Sequence, residues 1–280
     1  MRTFYSLSAG LVLVCLSACR PAMGAESGTP ATQKTEKQDD EVWLWAVGPG
    51  WRIKGDKCSE EQLIDFYGAR CVMYFDDTKH FPHTPGVANR LAGAEKLVLS
   101  LSYTDQGSVL ESLGPCQNLK GVIIDDFSSD MANYKPEFLA DAHRRLKASD
   151  PRLNLYTVIY TMHFDKDFKP FLPSIDVVSL WVWDSKDLAD LDRHLERCRK
   201  IFPGKPIVLG LYLFDWSHNR EMPMDLLQWE FRKARDYTRQ GLITGYQVLG
   251  SYRPTELQTP QARWVRDFIH TAPATKSPAP

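Results

Sequence analysis

The sequence predicts a single (β/α)8 barrel, and three observations carry that expectation. Apolar runs of strand length recur eight times from residue 42 to residue 251, helical patterns separate most of them, and acids and aromatic rings gather where the runs end. The runs span 42–47, 71–75, 96–103, 121–127, 154–161, 176–183, 206–214 and 245–251. Their near-continuous hydrophobicity suits strands covered on both faces. An open doubly wound sheet is the alternative, but no G-x-G-x-x-G fingerprint follows any run.

Ahead of the first run, residues 1–40 read as targeting sequence and tether. Met1 and Arg2 precede an apolar stretch at 9–16, too short to span a bilayer and placed where an export signal belongs. It closes on Leu16-Ser17-Ala18-Cys19, which resembles a bacterial lipobox. That resemblance implies a lipoprotein signal over 1–19, lipid on Cys19 as the membrane anchor, and a location facing the periplasm or cell surface. Cleavage before Glu26, after Met23-Gly24-Ala25, is the alternative. Residues 20–40 lack aromatics and are rich in Ala, Thr, Gly, Pro, Gln, Lys and Glu, so they cannot offset chain entropy by burial and form a flexible linker. The barrel occupies 41–270, and 271–280 is a loose tail of similar composition.

Within the barrel region each helix has a sequence signature. Ser59-Glu60-Glu61-Gln62 is a capping box ahead of Leu63, Ile64 and Tyr67. Pro136 suits a first turn, with Phe138, Ala142 and Leu146 on one stripe. Leu188, Leu191, Leu195, Cys198 and Phe202 keep one face until Pro203-Gly204 stops it. Pro223 opens a helix carrying Leu227, Phe231 and Ala234, and Thr259-Pro260 opens the last, with Trp264, Val265 and Phe268. The connections at 78–95 and 163–174 lack a strong helical pattern and are expected to be loops.

Composition narrows the partners. With 34 basic and 35 acidic residues there is no basic footprint for nucleic acid or for an anionic membrane. Cys58, Cys71, Cys116 and Cys198, which remain once Cys15 leaves with the signal and Cys19 takes lipid, allow one or two disulfides in an oxidising compartment. Asp76, Asp77, His80 and His83 form a loop cluster that could hold a divalent ion, but without the helical presentation such sites use; no cofactor is expected.

The strand ends supply the chemistry. In a parallel barrel the carboxyl ends of the strands face the loops that build sites. The fourth run ends in Asp125 and Asp126, the sixth in Trp181, Trp183 and Asp184, the seventh in Tyr212 and Asp215. Tyr74 and Asp77 close the second, Tyr103 the third and His163 the fifth, while Trp45 stands on the first. Sugar rings pack an apolar C–H face on indole or phenol and bond their hydroxyls to Asp, Tyr and His, so acids among aromatic platforms suit a glycan. Asp125 is the expected inward acid, with Asp126 orienting a neighbour and Asp215 or Asp184 as the opposing carboxylate. The tryptophans equally suit a plain core.

The fourth-strand sequence Gly121-Val122-Ile123-Ile124-Asp125 resembles that of glycoside-hydrolase-like (β/α)8 barrels of secreted bacterial proteins. Chitinase-type barrels carry D-x-x-D-x-D-x-E there; seating their last aspartate on Asp125 puts Phe127 where their glutamate stands and Ile123 at an earlier aspartate, which argues against chitinase chemistry. Polygalactosaminidase-like barrels have a similar glycine-to-aspartate strand without that glutamate. Taken with the strand-end residues, the resemblance gives the expectation of a secreted glycosidase, in which the strand-end reading assigns Asp125, Asp126, Asp184 and Asp215 to the chemistry and Trp45, Tyr74, Asp77, Tyr103, His163, Trp181, Trp183 and Tyr212 to the substrate. The alternatives are a non-catalytic glycan-binding or scaffolding lipoprotein on the same fold, and a metal-dependent hydrolase.

Overall fold

The computed structural model of the chain describes residues 41–47, 58–75, 91, 93–101, 117–249 and 254–271. The signal, Cys19, the linker, residues 272–280, Cys116 and the loop cluster Asp76, Asp77, His80 and His83 lie outside these residues, as does Tyr103.

Eight parallel strands close into a barrel in the order β1-β10-β7-β6-β5-β4-β3-β2. They are β1 Val42–Val47, β2 Cys71–Phe75, β3 Lys96–Ser100, β4 Leu119–Ile124, β5 Asn154–Tyr160, β6 Val177–Trp181, β7 Ile207–Tyr212 and β10 Gly245–Leu249. Two short antiparallel strands, β8 Phe214–Asp215 and β9 Arg220–Glu221, form a hairpin after β7. Each apolar run thus becomes one barrel strand, but the runs at 96–103, 121–127, 176–183 and 206–214 stop short, at Ser100, Ile124, Trp181 and Tyr212. For β4 the reason is local. Asp126 takes a left-handed backbone (φ 49°), which breaks the strand and starts the short helix α2, Phe127–Asp130.

The remaining helices follow their signatures. In α1, Glu60–Tyr67, Ser59 Oγ accepts from the Gln62 N–H and Gln62 Oε1 from the Ser59 N–H, completing the box. Pro136 starts α3, Pro136–Ser149, which buries Leu139, Ala142 and Leu146. A 3-10 turn, Ser185–Asp190, leads into α4, Leu191–Ile201, splitting what the stripe predicts as one helix. Met224–Arg239 (α5) and Pro260–His270 (α6) complete the set, the latter with the Thr259 hydroxyl accepting from the Ala262 N–H. Between β5 and β6 there are only 3-10 turns, Thr161–His163 and Leu172–Ser174. Cys58, Cys71 and Cys198 are free and buried, so these three serve as core residues and do not form the disulfides the sequence allows; burial first of all pushes their thiols up, to about 11, 11 and 12.

Strand alternation and register decide which side chains face inward. Trp43 pairs with Gln247 and Cys71, Trp45 with Leu249 and Met73, and Tyr160 with Trp181, which in turn pairs with Gly210. At the amino ends of the strands, Glu41 accepts from Trp43 Nε1 (2.8 Å) and pairs with Lys96. In mid-barrel, Ser179 Oγ accepts from Trp181 Nε1 (2.8 Å) and from Gln247 Nε2. Two glycines are dictated by close approach. A Cβ on Gly210 would lie 2.0 Å from Cδ2 of the Trp181 indole, and one on Gly121 would lie 1.9 Å from the Asn154 carbonyl oxygen.

Gly210→Ala therefore drives a methyl into the Trp181 ring. It is expected to destabilise the barrel by about 1–3 kcal/mol, read as a lower urea midpoint at unchanged slope, whereas Gly93→Ala, where a Cβ would meet nothing within 4 Å, changes it less.

Candidate functional site

Where the strands end, a cavity of about 510 Å³ opens, lined by Trp45, Asp125, Asp126, Ser129, Tyr160, Met162, Trp181, Trp183, Tyr212, Trp216 and Leu249. Its floor is a set of interlocked rings. Trp45 stacks on Phe75 (centroids 3.7 Å apart) and meets Trp181 edge-on at 5.2 Å; Trp181 lies 4.6 Å from Tyr212. Trp181 can lie there because Gly210 offers no side chain, and at 2% exposure it is more floor than platform. Above it Trp183 stands edge-on to both Tyr160 (5.9 Å) and Tyr212 (6.1 Å) with 37% of its surface exposed. Met162, at 54%, and Trp183 are the exposed large apolar residues among those described, and both rim this cavity.

The acids arrive from the broken end of β4. Because the strand has stopped at Ile124, Asp125 and Asp126 both reach the cavity, where an intact strand would send one outward. Asp125 accepts the Asp126 N–H (2.8 Å), yet burial, and then the charge of Asp126, push its carboxyl up to about 7. Asp126 does not cap α2 with its side chain; Oδ1 accepts the Tyr160 hydroxyl at 2.7 Å. A left-handed non-glycine residue beside the cavity is a strained backbone held in place by its surroundings. Beneath it the fully buried Ser128 hydroxyl accepts the Tyr160 N–H (2.9 Å) and contacts His163 Nδ1 (3.0 Å), and Lys166 Nζ donates to the Ser128 and Ser129 carbonyls (2.5 and 3.2 Å).

The structure sorts the other expected site residues. Trp45, Trp181, Trp183 and Tyr212 line the cavity with the two acids. Tyr74 does not: it is 1% exposed and pairs with Ala46, one residue out of phase with Phe75, the ring that stacks on Trp45. His163 lies behind the lining, edge-on to Tyr160 at 5.9 Å; burial first, then Lys166, lower its pKa. Asp184 caps the turn after β6 by accepting the Lys186 N–H (3.0 Å), a bond that holds its carboxyl below the usual range. Asp215 is 1% exposed and accepts from Ser185 (2.8 Å), Ser217 (2.9 Å), His218 (3.0 Å) and Arg220 (3.1 Å). Burial alone would raise its pKa, but those four donors win and bring it down to about 2. Neither Asp184 nor Asp215 is among the lining residues, so the expected opposing carboxylate is not supplied by them. Asp77 and Tyr103 fall outside the described residues.

Sequence reasoning passed over Tyr160, Met162, Ser129, Trp216 and Leu249. Tyr160 carried a signal: it closes β5 two and four residues after Val158 and Tyr156, so it shares their inward phase, and Tyr156 meets Trp43 inside the barrel. Among the described residues no group of three or more His, Cys, Asp or Glu could hold a metal ion.

No family model matches the chain, and no curated protein matches it in sequence. Solved structures do match in fold. The β-D-glucuronidase of Dictyoglomus thermophilum aligns over 85% of this chain and 52% of its own (TM-score 0.53, 12% identity), so this chain spans about half of that protein. The PgaB (BpsB) glycoside hydrolase domain of Bordetella bronchiseptica aligns over 82% and 99% (0.51, 13%), and a xylanase-A-amylase inhibitor protein, XAIP-III, over 82% and 97% (0.53, 12%). The chain has a glycoside-hydrolase-like (β/α)8 barrel fold, and the presence of an inhibitor protein in this group shows that the fold by itself does not decide catalysis.

The Asp215 cage has a pH signature. A carboxyl whose folded pKa is depressed stabilises above its unfolded value near 4 and loses that contribution as pH falls through about 2. Asp215→Asn is expected to cost roughly 2 kcal/mol at pH 7, a difference that vanishes near pH 2; denaturant titrations across that range measure it.

Proposed function

We propose that this barrel binds a glycan in the aromatic mouth and cleaves it by carboxyl chemistry centred on Asp125 and Asp126. The carrying observation is the pair itself: two acids brought together on one floor, in different surroundings. Asp125, pushed up to about 7 by burial and by its neighbour, holds a proton near neutral pH and can pass it to a glycosidic oxygen. Asp126, fixed by the Tyr160 hydroxyl, supplies the carboxylate that steadies positive charge developing on the sugar ring or orients a water. Trp183 and Trp216 offer apolar faces to the sugar rings above the floor of Trp45, Trp181 and Tyr212, and Ser129 a hydroxyl partner.

One observation favours a second reading, glycan binding without cleavage. Asp125 and Asp126 come from the same strand end, whereas two-carboxyl hydrolysis places its acids on either side of the scissile bond, and among the described lining residues no third acid stands opposite. On either reading we place the protein outside the cytoplasmic membrane, tethered through lipid on Cys19. That part rests on the lipobox-like sequence Leu16-Ser17-Ala18-Cys19. Palmitate labelling that survives Cys19→Ala would remove the tether from this proposal.

Sugar release from a panel of plant, algal and bacterial polysaccharides separates the two readings. Hydrolysis by the parent, reduced at least about 100-fold in Asp125→Asn with the melting midpoint retained, supports cleavage; retention of a polysaccharide without release supports binding. If Asp125 is the acid, turnover is sustained below pH 7 and falls as pH rises through about 7, since only the protonated form donates. Stability runs in the same sense: the raised carboxyl costs the fold nothing below its unfolded value near 4 and destabilises progressively as pH rises to about 7, so the Asp125→Asn midpoint should be flatter than the parent's from pH 4 to 7.

A further inference from the structure

The β7–β8–β9 segment and the loop after β6 are tied together by side chains the proposed chemistry does not use. Asp215 opposes Arg220 across the hairpin and accepts its Nε at 3.1 Å, and His218 Nδ1 lies 3.0 Å from the other carboxylate oxygen. These bonds stay within the hairpin. Two others leave it. Ser185, on the loop after β6, donates to Asp215 Oδ2 at 2.8 Å, and Ser217 Oγ lies 2.9 Å from Asp215 Oδ1 and 3.3 Å from Asp184 Oδ1. Each partner in this crossing sits close in sequence to a cavity indole: Asp184 and Ser185 follow Trp183, and Trp216 lies between Asp215 and Ser217. Trp216 is further held by Phe214, 4.8 Å away.

We infer that Asp215 is a positioning residue for the outer part of the glycan site: through Ser185 and Ser217 it locks the β6 loop to the hairpin and so sets the separation of Trp183 and Trp216. The inference rests on the glycan reading of the mouth. The chemistry follows from geometry. The side chain of Asp215 is fully buried, so it contributes no surface to a ligand, while its bonds span two loops that each carry one exposed or partly exposed ring. Two indoles at a fixed spacing favour a chain of sugar rings of matching repeat over a single ring, because once one ring has stacked, a second at the right distance adds its affinity without incurring the association cost again. Asp215 thus acts on extended oligosaccharides and leaves the inner floor of Trp45, Trp181 and Tyr212 untouched.

The discriminating variant is Ser185→Ala, which cuts the direct bond from the β6 loop to Asp215, leaving three donors on that carboxylate and only the longer 3.3 Å Ser217–Asp184 contact across the two loops. Binding of β-1,4-linked hexasaccharides of glucose, mannose and N-acetylglucosamine is titrated by tryptophan fluorescence for the parent, Ser185→Ala, Trp183→Ala and the double variant. For the hexasaccharide the parent binds, Ser185→Ala is expected to raise Kd about fivefold and Trp183→Ala about tenfold, with the double variant within about twofold of Trp183→Ala alone, since both remove the same platform. An unchanged Kd in Ser185→Ala, or effects that multiply in the double variant, overturns the positioning role while the glycan site stands. Trp183→Ala binding as the parent does, or a parent that binds none of the three, overturns the glycan reading and this role with it.

Discussion

The mouth of this barrel depends on a missing methyl. Trp181 occupies the space that any side chain on Gly210 would fill, and from that seat it touches Trp45 and Tyr212 and donates its indole N–H down to Ser179. A large ring laid flat across a neighbouring strand closes the barrel interior beneath the cavity, so the hydrogen-bonded middle layer of Ser179 and Gln247 is sealed from the site above. Without that ring the acids of β4 would stand directly over the buried polar layer of Ser179 and Gln247. With it they stand on an apolar floor, where burial raises Asp125.

Three aspartates at strand ends show how environment divides one residue type into different roles. Asp125 has one backbone donor and a charged neighbour, and its proton affinity rises. Asp215 has four donors, and its affinity falls so far that it remains a fixed negative charge at any physiological pH. Asp184 spends its side chain on the turn that follows it. The first suits proton transfer, the second a permanent brace, the third a cap. Nothing in the spacing of these residues separates them; burial, the charge of a neighbour and the number of N–H and O–H groups that converge on each do.

That difference explains what was legible in the sequence. The barrel could be read because covered strands need long apolar runs, and all eight runs became strands; the helix starts could be read because Ser59, Pro136 and Thr259 satisfy or omit backbone donors in a recognisable way. Asp125, Asp126, Trp45, Trp181, Trp183 and Tyr212 could be read as mouth residues since strand ends point that way. Tyr74 was misplaced because a strand end gives height along the axis but not the face, and phase depends on register with neighbours that a sequence does not print. Asp215 was misassigned for a related reason: its four donors come from the hairpin and from Ser185, thirty residues upstream. Tyr160 was overlooked in favour of His163, whose ring lies behind it.

The left-handed turn at Asp126 has a consequence for how this sequence can drift. Glycine would relax the backbone and discard the carboxylate, and glutamate would keep the charge but fit that conformation poorly. Asparagine keeps both the turn and an acceptor for the Tyr160 hydroxyl while erasing the charge. On the proposed cleavage reading, a lineage that gave up bond breaking but still needed the shape of the mouth would have one cheap exit at this position, and an Asp-to-Asn exchange there would mark the branch point between an enzyme and a lectin.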